Sequence, residues 1–146
     1  MPVAGGNSRK TMPLMTRDLV LLIYRLYFGS FMFFGHGLGK LRSYESLIAG
    51  FPDPLGIGVK TSAFLVIFTE ALCPLTIMAG LLTRISAALL TITMLVAALI
   101  QLAPEPFATK ELALMYAGVF AILAITGAGR FSLDQIRRPF SDSSSV

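Results

Sequence analysis

The sequence predicts an all-α integral membrane protein, a four-helix bundle that crosses a bilayer four times. Hydrophobic residues make up 55% of its 146 residues and charged residues only 14%, whereas a typical soluble domain is about 25% charged. Four apolar runs are long enough to cross a hydrocarbon core of roughly 30 Å. Backbone groups in hydrocarbon must be hydrogen-bonded within the protein, so each run is predicted to be helical.

The predicted spans cover residues 19–35, 61–82, 85–103 and 112–129. The second and third spans are separated by little more than Thr83 and Arg84, which predicts a tight antiparallel hairpin. The loop between the third and fourth spans contains Pro104 and Pro106, which cannot continue a helix. In the longest loop, residues 44–49 are predicted to form a short amphipathic turn at the membrane interface.

Three regions follow from this pattern: a cytoplasmic segment 1–17, a four-helix transmembrane domain 18–134 and a flexible tail 135–146. The basic start resembles a signal peptide, but the following run is as long as a span and lacks a small-x-small cleavage site, so it is predicted to be retained. Seven Lys and Arg residues fall on the side of the two termini and four on the other side. The positive-inside rule therefore places both termini in the cytoplasm of a bacterial-type inner membrane.

Composition also argues against several classes of function. The net charge is +4, but the basic residues flank apolar runs and form no groove interleaved with stacking aromatics, so nucleic-acid binding is not expected. A single cysteine cannot form an internal disulfide. One histidine and one cysteine, far apart in sequence, make a poor metal site, so no bound metal is predicted.

Two charges lie within the predicted spans, Arg25 in the first and Glu70 in the second. Charges in a bilayer are costly and usually face the protein interior in pairs. Arg25 and Glu70 are therefore predicted to form an ion pair between neighbouring antiparallel helices. Such a pair either belongs to a polar pocket or proton path, or only fixes the register of the two helices.

The first span also predicts a pocket. Arg25 and His36 are eleven residues apart, close to three helical turns, so they share a face. The residues predicted to line or surround this pocket are Gly29, Met32, His36, Lys40 and Glu111. Histidine is included because it titrates near neutral pH.

Small residues recur along the fourth span at Ala113, Ala117, Ala121, Ala124 and Ala128. Such a seam lets membrane helices approach closely. It is predicted to face either the bundle or a second copy of the chain, which leaves a homo-oligomer open.

Several motifs in order are similar to the DoxX family of small four-span membrane proteins. They are Arg25, the run Gly35-His36-Gly37-Leu38-Gly39-Lys40, Glu70 with residues 79–84, Lys110-Glu111-Leu112-Ala113, and the closing Gly127-Ala128-Gly129-Arg130-Phe131-Ser132-Leu133-Asp134. The resemblance covers roughly residues 18–134. It implies a membrane bundle linked to quinone or thiol redox systems, because the family is named after a subunit associated with quinol oxidase and thiosulfate:quinone oxidoreductase.

The favoured hypothesis is an accessory membrane subunit that serves a membrane or soluble redox partner, with quinone as a candidate ligand and a polar stripe that binds it or relays protons. The chain has no complete catalytic or cofactor motif of its own, so whether it is itself an enzyme stays open. Two alternatives also stay open: a small transporter or exporter component, and a structural or chaperone-like membrane protein.

Overall fold

The computed structural model describes residues 14–136 as a helical bundle. Its helices are α1 Leu14–Arg42, α2 Tyr44–Gly50, α3 Val59–Ala79, α4 Thr83–Gln101, α5 Phe107–Thr126 and α6 Leu133–Ile136. Helices α1, α3, α4 and α5 are each long and apolar enough to cross a membrane. The predicted fold class and the four spans are confirmed.

The two ends of the bundle differ. The terminal end holds the start of α1, the α3–α4 turn and α6. The loop end holds α2, the loop 51–58 and the connection between α4 and α5. Most of the predicted cytoplasmic segment 1–17 and of the predicted tail 135–146 lies outside the described residues, although residues 14–17 and 135–136 belong to α1 and α6.

Helices α1 and α5 begin five residues before the predicted spans, α5 ends at Thr126, and two further differences change the connections. Helix α1 continues past Gly35 to Arg42, because continued helix satisfies backbone groups that a glycine-rich loop would leave unpaired. The α3–α4 turn is built by Gly80 and Leu82, both with left-handed backbone at φ 72° and 49°. Thr83 and Arg84 therefore begin α4 instead of forming the turn. The predicted interfacial turn at 44–49 is helix α2.

Three spans contain one wide turn of π-helix, at Phe33–Gly37 and Ala97–Gln101 in the loop-end halves of α1 and α4 and at Phe68–Leu72 in the middle of α3. In α3 the cause lies in the sequence. Pro74 has no N–H to donate to the Glu70 carbonyl four residues earlier, and the wide turn immediately before it relieves the clash of its ring. A π-turn inserts an extra residue and changes which side chains face inward, and such turns are frequent at functional sites.

The core lies between the four spans, and α5 packs most extensively on α4. Its buried residues are Met32, Cys73, Ile77, Ala87, Leu90, Met94, Ala117, Phe120 and Leu123. Ala117 and Ala128 of the alanine seam are buried, and Ala113 and Ala124 pack against the core. The seam therefore faces the bundle, one of the two predicted alternatives.

Candidate functional site

Glu70 forms its ion pair with Lys40 and not with Arg25. Gly37 of α1 packs against the backbone of Glu70. Arg25 lies twelve residues before Gly37, which is about 18 Å along a helix axis. The predicted contact between Arg25 and Glu70 is wrong because Glu70 lies beside Gly37 and Lys40, several turns along α1 from Arg25.

Gly37 allows this close approach of the two helices. A Cβ atom at this position would lie 2.6 Å from the Glu70 carbonyl carbon and 2.8 Å from the Ala71 Cα. Both are backbone atoms and cannot move aside without displacing α3. The missing side chain therefore brings α1 onto α3 at the level where Lys40 reaches Glu70.

The Lys40–Glu70 pair lies in the wall of a cavity of about 470 Å³ at the loop end. The side chain of Glu70 is 5% exposed and that of Lys40 is 29% exposed. All four spans and the loop 51–58 contribute to the walls, which are largely apolar. The polar lining residues are His36, Lys40, Ser62, Thr69, Glu70, Thr93, Gln101 and Thr109.

Two further contacts organise the polar lining. The Thr93 hydroxyl donates to the Thr69 hydroxyl at 3.1 Å, which links α4 to α3 beside Glu70. The His36 ring meets the Tyr116 ring edge to face, with 5.6 Å between their centroids, which links α1 to α5. Each of the three wide turns contributes a polar residue to the cavity lining. These residues are His36 in α1, Glu70 in α3 and Gln101 in α4.

The structure divides the predicted pocket residues. His36 and Lys40 line the cavity. Gly29 instead packs on the Met78 side chain and the Pro74 carbonyl. A Cβ atom added at Gly29 would lie 3.3 Å from that carbonyl oxygen. Met32 is fully buried in the core, and Glu111 is exposed outside the cavity. The predicted face from Arg25 to His36 is not continuous, because the wide turn after Met32 rotates the following residues about the helix axis.

Arg25 belongs to the terminal end. It is fully buried, and its Nη2 donates to the Phe131 carbonyl at 2.5 Å. Asp134 supplies a compensating negative charge. The Asp134 carboxylate also accepts hydrogen bonds from the backbone N–H groups of Leu82 at 2.8 Å and Thr83 at 3.2 Å, so it caps α4. This cluster ties the segment after α5 to the α3–α4 turn.

The residue pattern did not indicate that Arg25 would bind the Phe131 carbonyl near Asp134, although both residues lie in the closing motif 127–134. The available signal was glycine at 127 and 129, where left-handed backbone at φ 78° and 74° turns the chain back under the bundle. For the cavity, the sequence signal that could have been used is Pro74, four residues after Glu70. A proline at this spacing predicts a distortion of the helix at the buried charge. Within residues 14–136, no three His, Cys, Asp or Glu side chains are grouped closely enough to hold a metal ion.

These features define a multi-pass membrane protein with a Lys40–Glu70 ion pair in the wall of a loop-end cavity. A family model, DoxX, matches residues 20–103. The match covers more than half of the chain, including Lys40 and Glu70, and the chain belongs to the DoxX family. Comparison with curated proteins and with solved structures gave no match.

Proposed function

We propose that this DoxX-family protein is an accessory subunit of a redox-linked membrane system and binds a quinone-type ligand in the loop-end cavity. The observation that carries the proposal is the Lys40–Glu70 pair in the wall of a largely apolar cavity. Burying two charges costs more than burying an apolar pair of similar size. Intramembrane ionisable residues are for this reason associated with ligand or proton pathways.

The cavity residues fit a quinone head. The volume of about 470 Å³ falls within the range of about 300 to 1,000 Å³ found for small-molecule pockets. A quinone ring is flat and apolar, with two carbonyl oxygens that need hydrogen-bond donors. Lys40, His36 and Gln101 each carry N–H donors in the cavity wall, and Thr93 adds a hydroxyl.

Each polar residue then has a defined role. Lys40 would hold a carbonyl of a bound quinone with its ammonium group, which Glu70 orients. Glu70 and His36 would give protons to the ligand or take them up, since a carboxyl group and an imidazole can each do both. A bound quinone supplies two-electron, two-proton redox chemistry, and a redox partner protein supplies the electrons.

One specific observation favours a structural role instead. Gly37 seats α1 on the backbone of Glu70 at the same level as the ion pair. Lys40 and Glu70 could therefore serve only to fix the register of α1 on α3, as buried polar pairs do in some proteins. The two roles lead to different outcomes in one experiment.

The test measures binding of a decyl-substituted benzoquinone to the purified protein in lipid nanodiscs by calorimetry. Glu70→Gln and Lys40→Met should each weaken binding about tenfold or more, equivalent to about 1.4 kcal/mol. Glu111→Gln, an exposed carboxylate at the same end, is the matched control and should bind like the wild type.

Thermal unfolding of the same variants tests the structural role. That role predicts no quinone binding by the wild type, lower stability for each single variant and partial recovery in the double variant Lys40→Met/Glu70→Gln. Coupling energies for polar pairs in membranes average about 0.6 kcal/mol and reach about 1.7 kcal/mol. Wild-type protein that binds no quinone would overturn the proposed function.

A further inference from the structure

Helices α3 and α4 form a V that opens toward the loop end. They are joined by the short turn 80–82, and the terminal-end half of α3 packs closely on α4. Their loop-end segments, Val59–Ile67 and Ala97–Gln101, are not closely packed on each other. The Thr69–Thr93 hydrogen bond joins the two helices near their midpoints.

This opening connects the cavity with the lipid-facing surface. Leu65 of α3 and Leu89 and Ile92 of α4 line the cavity, yet they are 44%, 37% and 58% exposed. All three lie within membrane-spanning helices, so their exposed parts meet acyl chains. The cleft therefore has apolar walls continuous with the bilayer, with Glu70 and Lys40 deeper in the same cavity.

At the loop end the cavity is bordered by the loop between α2 and α3. Phe51, Pro54, Leu55 and Ile57 of the loop between α2 and α3 line the cavity from the loop end. Asp53 holds this loop by accepting hydrogen bonds from the backbone N–H of Ile57 at 3.1 Å and of Gly58 at 2.8 Å, and from the Ser62 hydroxyl at 2.7 Å. A ligand arriving from the aqueous phase would have to pass this loop, whereas a ligand dissolved in lipid would pass between α3 and α4.

We propose that the cleft between α3 and α4 is a lateral portal for a ligand dissolved in the bilayer. The ligand enters head first, so that its polar head reaches Lys40 and Glu70 and its flexible apolar chain stays between Leu65 and Ile92. The identity of the head rests on the proposed function. The portal itself specifies the class of ligand as a lipid-soluble molecule with a compact polar head and an apolar chain.

The chain contains no tryptophan, so a single introduced tryptophan can report on access from the bilayer. Val66→Trp places it in the cavity wall. Leu99→Trp, at 61% exposure, is the lipid-exposed reference, and Phe120→Trp, at 0%, is the buried reference. In phosphatidylcholine vesicles with brominated acyl chains, bromine quenches the fluorescence of tryptophan that it can reach. The extent of quenching at position 66 should be closer to that at position 99 than to that at position 120. Quenching no greater than at 120 would overturn the portal.

A second measurement blocks the cleft. Ile92→Trp fills it, while Leu99→Trp adds the same bulk on α4 outside the cavity. The decyl-substituted benzoquinone should bind Ile92→Trp at least tenfold more weakly than Leu99→Trp, and the same benzoquinone without its chain should bind both equally. Equal binding of the decyl compound to both variants overturns the portal and leaves the proposed function in place. Quenching at position 66 without binding of either quinone overturns the proposed function and leaves the portal.

Discussion

At the scale of single residues, Gly37 and Gly39 provide a matched pair. A Cβ at Gly37 would collide with the Glu70 and Ala71 backbone, whereas nothing lies within 4 Å of a Cβ at Gly39. We expect Gly37→Ala to lower the unfolding free energy by about 1 to 3 kcal/mol, the usual cost of overpacking. Gly39→Ala should instead be neutral or stabilise by about 0.5 to 1 kcal/mol, because alanine favours helix. Thermal unfolding in detergent micelles measures both.

The effect of Gly37→Ala should extend to the ion pair. Moving α1 away from α3 draws Lys40 from Glu70, so quinone binding should weaken in Gly37→Ala and persist in Gly39→Ala. If the two alanine variants are equally stable, the close approach of α1 to Glu70 is not required by the fold.

Residue patterns predicted which charges are buried but not which groups they meet. The intramembrane position of Arg25 and Glu70 follows from the apolar runs around them, and both are buried. Their partners depend on how far α1 is offset along α3 and on the wide turn before His36. Neither quantity follows from helical periodicity, which assumes uniform turns.

At the scale of elements, the loop 51–58 responds to pH through Asp53. The Ser62 hydroxyl, followed by the backbone N–H groups of Gly58 and Ile57, holds the pKa of Asp53 below its ordinary value. A carboxylate with a depressed pKa stabilises the folded loop above its ordinary pKa, about 3.9, and loses this effect as pH falls through the lower folded-state pKa. We therefore expect the loop to stay closed near neutral pH and to loosen only below about pH 4.

A spin label on Leu55→Cys, in a Cys73→Ala background, measures this loosening as increased mobility. Ser62→Ala removes the strongest cause of the depressed pKa, so the midpoint should move to higher pH. A label on Ala49→Cys, an exposed position of α2 without contact to Asp53, should show no such transition. Loosening that begins near neutral pH in the wild type would show that Asp53 does not hold the loop.

At the scale of the whole molecule, the four spans were predictable because lipid imposes both helix and length on each apolar run. The path of the segment after α5, which turns back under the bundle, was not predictable. It depends on contacts between residues more than fifty positions apart in the sequence. Asp134 meets Leu82 and Thr83, and Arg130 donates its N–H to Asp18 at 3.1 Å. These bonds close the terminal end, while α3 and α4 leave the loop end open.

The orientation of the bundle in the membrane is the last prediction. The side of the termini carries Arg9, Lys10, Arg17, Arg84, Arg130, Arg137 and Arg138, and the loop end carries Lys40, Arg42, Lys60 and Lys110. Lys40 is held in an ion pair with Glu70, which lowers its weight in this balance. From the excess of Lys and Arg we expect the terminal end on the cytoplasmic side. In that orientation the cavity and its portal would lie in the outer half of the membrane.

A reporter enzyme that is active only in the periplasm tests this orientation in a bacterial host. Fused after Val146 it should be silent, and inserted at Gly56, in the loop that covers the cavity, it should be active. The insertion is the matched control, since it shows that the reporter folds when attached to this chain. Activity after Val146 together with silence at Gly56 would reverse the topology, and the cavity would then open from the cytoplasmic half of the bilayer.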